Sequence, residues 1–410
     1  MHVDTMRRID RWAGVPLTFL LTQALRIKAL LRPSLPVRAQ RVLCLELSEM
    51  GSTILADPAM RKLKRELGCE LYFAIFASNR ASLELLRTIP DENIFTLRAD
   101  SLRTLITDTV QFLRWTRKKR IDTVLDLELF SRFTALLSGA SGASNRVGFY
   151  RFHNEGLYRG EMLTHRVSYN PHIHIAKNFI ALANALLTKE AETPYSKQFV
   201  ADEEIVLPKV LFDEEEQAAM HRLIGKKAPW YDSKKHRLVL INPNASELLP
   251  QRRWMPERYV ELIVRILAAA EDVLILLTGA PSEQAEAEQM RHQVGAERCI
   301  NFAGATPLTE LPLLYAIALC MVTNDSGPGH FSAITNLPTF VLFGPETPAL
   351  YGSLGNSTPI YAGLACSPCV SAANHRKTAC TDNVCLKAIS VDQVFNAIAP
   401  LLRASTAEQR

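Results

Sequence analysis

Short, nearly unbroken apolar runs alternate along this chain with longer stretches whose apolar positions recur every three to four residues. Arg41 to Leu47, Glu70 to Phe76, Ile121 to Leu127 and Arg146 to Phe149 read as buried strands. Thr53 to Leu67, Leu83 to Ile89, Leu102 to Lys119 and Ser131 to Ser138 read as the helices between them. A polar, acidic stretch, Thr188 to Glu204, precedes a second series. Its strands are Leu238 to Asn242, Val273 to Leu277, Cys299 to Phe302, Ala316 to Val322 and Thr339 to Phe343. Its helices are Pro256 to Ala270, Ser282 to Val294 and Thr309 to Ile317. Continuous Val/Ile/Leu strands separated by helices predict parallel sheets covered on both faces. The expected fold is α/β, with two Rossmann-like doubly wound domains facing across a ligand cleft. The expected division is an arm at 1–40, a first domain at 41–195, a second at 205–390, and a C-terminal helix and tail at 391–410.

Length and composition agree. A chain of 410 residues exceeds one compact core, and 48% hydrophobic with 22% charged residues excludes a disordered polymer. No apolar run reaches the ~20 residues of a spanning helix. Residues 1–40 hold seven basic residues (Arg7, Arg8, Arg11, Arg26, Lys28, Arg32, Arg38) against Asp4 and Asp10. That difference equals the whole net charge of +5, so the body is neutral. A basic arm on a neutral body predicts contact with an anionic membrane surface and argues against nucleic acid. Between those charges, Ala13 to Leu25 is apolar and interrupted by Pro16. It reads either as a helix in the membrane interface, with Trp12 at headgroup level, or as a helix packed on the first domain. It lacks a signal-peptide cleavage site, so a cytoplasmic location is expected.

The stretch Asn324-Asp325-Ser326-Gly327-Pro328-Gly329-His330 carries the clearest chemistry. A strand ending there and turning into a helix presents backbone N–H groups to an anion such as a nucleotide diphosphate. Asp325 and His330 add an acceptor and a donor at the rim. Cys366, Cys369, Cys380 and Cys385 form C-x2-C-x10-C-x4-C with His375 between them. That spacing admits a zinc site or a set of reduced thiols in a surface loop.

Several motifs occur in a fixed order: Ser48 to Ser52, Asn242 to Ser246, Arg253-Trp254-Met255-Pro256, Leu277 to Pro281, Phe302 to Leu311, Asn324 to His330 and Phe343 to Pro348. In this order the chain resembles glycosyltransferase family 9, the heptosyltransferases. The resemblance covers about residues 41–400. It implies a GT-B fold and inverting, metal-independent transfer of heptose from ADP-heptose to a lipopolysaccharide inner-core acceptor. No cofactor beyond the nucleotide-sugar donor is implied. The enzyme would be a monomer, peripheral on the cytoplasmic side of the inner membrane, with a glycolipid acceptor.

On that reading Asp325, Ser326, Gly327 and His330 hold the diphosphate, and Arg252 and Arg253 supply charge to the leaving group. Asn242, Asn244 and Ser246 could bond phosphate or sugar, Glu283 would reach the ribose, and Phe343-Gly344-Pro345 would line the base pocket or end a strand. The family commonly carries Gly-Asp in its first loop, with that Asp as catalytic base, whereas this chain has Gly51-Ser52. A serine hydroxyl is no base at neutral pH. Glu49 is the expected base and Ser52 a phosphate or acceptor contact, with Glu46 and Asp57 as alternatives. Arg132 is the expected acceptor contact, and the basic run Arg114 to Arg120 could meet sugar acids or lipid phosphates. His172 and His174 read as packing or polar contacts. The rival readings are a family member using another nucleotide sugar for a different glycan, and a nucleotide-sugar-binding protein without turnover.

Overall fold

The computed structural model describes residues 3–31, 37–129, 131–152, 157–245, 249–371 and 376–403. Two compact units divide the chain between Val206 and Leu207, and the C-terminal segment from Arg376 belongs to the second.

In unit 1 the strands are β1 (Arg41–Leu45), β2 (Glu70–Phe76), β3 (Ile94–Leu97), β4 (Thr123–Asp126), β5 (Asn145–Tyr150) and β6 (His165–Ser168). The helices are α1 (Val3–Trp12), α2 (Gly14–Leu31), α3 (Met50–Leu67), α4 (Ala81–Leu86), α5 (Leu102–Lys118), α6 (Arg132–Ala140) and α7 (Ile175–Leu187). All strand pairs are parallel, in the order β3-β2-β1-β4-β5-β6. Helix α3 leaves β1 with residues 52–60 buried, and it ends at Gly68, whose φ of +62° closes the last turn. Asp57, inside α3, is fully buried between Thr88 and Arg61, so this alternative base is a structural charge. The acidic stretch before unit 2 is tied back to unit 1 by Lys62–Glu204 at 2.6 Å and Lys177–Asp202 at 2.9 Å.

The N-terminal arm is part of unit 1. Pro16 does not interrupt α2 but sits in its first turn, where no intrahelical N–H bond is lost. Helix α2 buries Gly14, Thr18 and Thr22. A Cβ at Gly14 would stand 2.9 Å from Arg132 Cβ, so glycine allows this close approach to α6. At 18 residues and mean hydropathy 1.3, α2 is long and apolar enough to cross a membrane on those two grounds alone.

Unit 2 repeats the scheme. Its strands are β7 (Arg237–Asn242), β8 (Val273–Leu277), β9 (Cys299–Asn301), β10 (Cys320–Asn324), β11 (Thr339–Phe343) and β12 (Ser357–Tyr361). Its helices are α8 (Glu214–Lys227), α9 (Pro256–Ala269), α10 (Gln284–Val294), α11 (Leu311–Ala316), α12 (Gly327–Phe331), α13 (Pro348–Tyr351), α14 (Val384–Lys387) and α15 (Val391–Arg403). The order β12-β11-β10-β7-β8-β9 is again parallel throughout, with the sheet reversing between β7 and β10. Helix α15, within the expected C-terminal helix and tail at 391–410, buries Val391, Val394, Ile398 and Leu402 in the main core. At about 1.5–3 kcal/mol per buried aliphatic side chain, it is integral to unit 2.

The expected strand Ala316 to Val322 is shifted: α11 runs to Ala316, and β10 continues through Thr323 and Asn324. These polar residues stay in the strand because their side chains have buried partners. Asn324 Oδ1 accepts from Trp254 N and Tyr259 Oη, both at 3.0 Å, and its Nδ2 donates to the Pro243 carbonyl at 2.7 Å. One side chain thus ties the loop after β7 and the start of α9 to the end of β10. Replacing Asn324 by Ala would leave these buried groups unpaired, at about 1–3 kcal/mol each. We expect Asn324→Ala to lower the unfolding free energy of unit 2 by about 3 kcal/mol or more, read from urea denaturation followed by Trp fluorescence.

Candidate functional site

The carboxyl ends of β1 and β4 are adjacent in unit 1, and the loops that leave them hold a group of acids. Glu49 N-caps α3 in extended conformation, and its Oε2 accepts from Ser52 Oγ at 2.8 Å. Helix α3 begins at Met50, so Ser52 lies in its first turn rather than in a loop. Across the gap, the buried Glu128 accepts from Leu47 N, Ser48 N and Ser48 Oγ at 3.1, 3.3 and 2.9 Å. Burial raises the Glu128 carboxyl above its ordinary range, and the neighbouring Glu49 charge raises it further. Asp126 closes β4 wholly buried, and burial raises it despite the opposing Arg159. The Arg159 guanidinium pairs with Asp126 and donates to the carbonyls of Glu128 at 2.6 Å and Ser131 at 2.8 Å, fixing the loop. Arg159 had no signal in the sequence, and Glu128 had only its place just past a strand end.

Other acceptor-side expectations change. Arg132 is 7% exposed and is paired with Asp10 of α1 at 3.0 Å, so its charge is neutralised inside the fold rather than offered to an acceptor. The run Arg114 to Arg120 spans the end of α5 and the turn into β4, at the amino edge of the sheet, opposite the Glu49 end. His174 N-caps α7. Glu46 is buried directly after β1.

In unit 2 the corresponding loops follow β7 and β10. Ser326 N-caps the five-residue α12, and no side chain caps its first N–H groups. Asp325 faces Arg252, whose Nε lies 3.4 Å from Oδ2, and Arg252 also pairs with Glu346. Arg376 lies 3.5 Å from Glu346 and stacks its guanidinium over Tyr351 at 4.5 Å. Glu346, Arg376 and Tyr351 escaped sequence reasoning, although Glu346 occupies an unspecified position of the Phe343 to Pro348 motif. Asn244 is 6% exposed, and its Nδ2 has no hydrogen-bond partner among the described residues. Such a buried donor suits a ligand oxygen.

The remaining expected contacts are engaged locally. Asn242 spends its amide on the Thr278 carbonyl at 3.1 Å. Arg253 donates twice to the Ala245 carbonyl, at 3.1 and 2.9 Å, so of these two neighbours it is Arg252 that meets the acids. Glu283 Oε2 accepts from Ala280 N at 2.6 Å and caps its own turn. His330 is buried on α12, with Nδ1 3.4 Å from Ser353 Oγ. Gly327 opens α12, where a Cβ would press on the Phe331 ring at 3.0 Å. Ser246 lies outside the described residues, as does His375. Phe343-Gly344-Pro345 ends β11 and is braced from the cysteine segment, since Cys369 N and Val370 N both donate to the Pro345 carbonyl at 3.0 and 3.1 Å. None of the four clustered cysteines forms a disulfide among the described residues, and no group of three or more potential metal ligands occurs among them.

Comparison with known proteins bears on the same residues. Residues 110–379 match the profile of Glycosyltransferase family 9 (heptosyltransferase). The chain is 27% identical over 191 residues to lipooligosaccharide heptosyltransferase 2 of Haemophilus influenzae, covering 45% of this chain and 51% of the relative. It is 31% identical over 106 residues to lipopolysaccharide heptosyltransferase 2 of Escherichia coli, covering 25% and 30%. The matched stretches thus span about half or less of those relatives' lengths. Among solved structures, the ADP-heptose lps heptosyltransferase II of E. coli superposes with a TM-score of 0.66 at 20% identity, over 88% of this chain and 98% of that one. A family 9 glycosyl transferase from Veillonella parvula gives 0.67 at 18% identity, over 90% and 100%. These structural likenesses establish the fold class: two Rossmann-type domains of the GT-B kind.

The Glu49–Glu128 proximity has a testable sign. A carboxyl whose folded pKa lies above its unfolded one costs nothing below the unfolded value. It destabilises progressively as pH rises through the folded value. Glu128→Gln keeps an acceptor for the Leu47 and Ser48 donors and removes the charge. Its stability relative to the unmodified protein should therefore grow between about pH 4 and pH 8, as read from denaturation midpoints at the two pH values.

Proposed function

Because the chain belongs to glycosyltransferase family 9, we propose that it is an inverting transferase moving a heptose from ADP-heptose to a lipopolysaccharide inner-core acceptor. What supports the reading is that the Arg252–Asp325 pair and the Asn244 amide, unpartnered among the described residues, lie in the loops at the reversal of the unit 2 sheet, within the stretch that matches the family. Parallel α/β sheets bind ligands where the strand order reverses. The relatives' names supply the sugar and the acceptor class.

In the proposed reaction an acceptor hydroxyl oxygen attacks the anomeric carbon from the face opposite the diphosphate. The new C–O bond forms as the bond to the diphosphate breaks, which inverts the centre and releases ADP. The acceptor proton passes to the Glu49 carboxylate. Ser52 donates to one oxygen of that carboxylate and fixes its orientation, so the serine found where the family places an aspartate serves the base instead of replacing it. Glu49 lies outside the matched stretch 110–379, and its role rests on its geometry. Arg252, the uncapped N–H groups at Ser326 and Gly327, and the Asn244 amide would stabilise the departing diphosphate without a metal. With a membrane-held glycolipid as acceptor, the reaction takes place on the cytoplasmic face of the inner membrane, with the enzyme as a peripheral protein.

Glu49→Gln tests the assignment. A general base contributes about 10²–10⁴-fold, so we expect turnover to fall by at least ~100-fold while ADP affinity by calorimetry stays unchanged. Unimpaired turnover in this variant would remove Glu49 from the mechanism, and an inert unmodified protein would make the chain a binding protein. Product mass spectrometry with ADP-heptose, GDP-sugars and UDP-sugars decides the donor. Arg252→Lys keeps a cation beside Asp325 and Glu346 but loses the planar fork, and should weaken ADP binding roughly tenfold with little change in thermal stability.

A further inference from the structure

Helix α2 is packed inside out for a helix on a water-soluble surface. Its body-facing side carries Gly14, Thr18 and Thr22, while its outward side carries Leu17, Phe19, Leu20, Ile27, Leu30 and Leu31. Leu20 is 61% exposed, Ile27 57% and Leu30 84%. A surface helix in water shows the reverse arrangement, with its apolar stripe on the core. At about 100° per residue, Ile27 and Leu20 lie nearly opposite Thr18, in the middle of the outward face. Arg26 and Lys28 fall near the two flanks, and the helix has no acidic residue. Beside it stand Arg8 and Arg11, both exposed, and Trp12 at 78% exposure.

The inward side is built for contact with the body. Thr18 Oγ1 donates to Gly14 O and Thr22 Oγ1 donates to Thr18 O, each at 2.7 Å, so neither hydroxyl is left unpaired. Thr22 Oγ1 also accepts from Glu161 N at 3.0 Å. A Cβ on Gly139 of α6 would meet Leu21 at 3.0 Å, and one on Gly160 would meet Thr22 Oγ1 at 2.8 Å. Small residues on both sides thus allow close approach, and the Asp10–Arg132 pair locks α1 to the start of α6.

We infer that α2 is an in-plane membrane anchor: its Leu20–Ile27 face enters the acyl boundary of an anionic bilayer, with Arg8, Arg11, Arg26 and Lys28 at the phosphates. Long basic side chains at the flanks of an apolar face let the charge stay at the headgroups while the stems lie along hydrocarbon. Charge complementarity selects a lipid surface over a second copy of the chain, because stacking two such faces would bring like-charged flanks together. Helix α6 begins just after the Glu128 loop, so an anchored α2 would hold that loop near the bilayer where a glycolipid acceptor resides. This consequence rests on the proposed transferase reading; the anchoring itself does not.

Vesicle co-sedimentation of the full chain tests the inference, using phosphatidylcholine alone and phosphatidylcholine with phosphatidylglycerol. Binding is expected only with the anionic lipid. It should weaken with added salt and be accompanied by quenching of Trp fluorescence by brominated acyl chains. The double variant Leu20→Glu, Ile27→Glu changes only exposed positions. It should keep its thermal stability and its ADP affinity while vesicle binding falls at least ~100-fold, about tenfold for each large apolar side chain withheld from lipid. Unchanged vesicle binding in that variant would overturn the inference. So would a lipid-free dimer that the variant dissociates, in unmodified protein that ignores vesicles. Resistance of the unmodified chain to alkaline carbonate extraction from native membranes would overturn it in favour of a spanning helix. Turnover on a lipid-free acceptor fragment reports on the transferase reading separately.

Discussion

A parallel sheet that is doubly wound must reverse once. At that reversal the connections of two neighbouring strands leave toward opposite faces, so the backbone itself leaves their carboxyl ends uncovered. Both sheets obey this constraint with equivalent strand orders, reversing between β1 and β4 and between β7 and β10. The chemistry of each unit follows from the place. Glu49 and Glu128 follow the two central strands of unit 1, and Asn244 and Asp325 follow those of unit 2. Buried polar side chains at these positions would be costly in a closed core, and nearly all are compensated by specific partners. Arg159 serves Asp126, Ser48 serves Glu128, and Asn324 serves two donors and a carbonyl. The Asn244 amide has no such partner among the described residues.

Interior strands were legible in the sequence because burial on both faces leaves an uninterrupted apolar run. Glu70–Phe76, Val273–Leu277 and Thr339–Phe343 match the run endpoints residue for residue. Edge strands were legible only in part: Cys299 to Phe302 announced β9, whereas β6 (His165–Ser168) buries only Val167 and β12 (Ser357–Tyr361) only Ile360, and neither was read. Helix α7 was missed for the opposite reason. Nine of its 13 residues are buried, so little polar surface marks its outer side. Helix starts were read late where a motif glycine or serine looked like loop, and so Gly51-Ser52 proved helical.

At the site, the sequence pointed to groups adjacent to strand ends but not to their pairing. Arg252 and Glu346 are 94 residues apart, and only folding shows them as an ion pair. The same holds for Arg132. A lone arginine after a strand suggests a ligand contact, and nothing local reveals that Asp10, 122 residues earlier, already occupies it. Where a motif residue turns inward, as Asn242 and Glu283 do, sequence alone cannot distinguish contact with a ligand from contact with the loop that shapes its place.

If the group around Arg252 holds a donor as proposed, its charge balance governs how that donor arrives. Two guanidiniums, of Arg252 and Arg376, stand against two carboxylates, of Asp325 and Glu346, so opposite charges cancel within a few ångströms. Such an arrangement casts little field beyond its own diameter. On the proposed reading, an approaching nucleotide would therefore gain little long-range pull from this group. It would be selected on arrival, by the direction of individual N–H bonds, so that discrimination at this group would rest on shape and hydrogen-bond geometry more than on electrostatic steering.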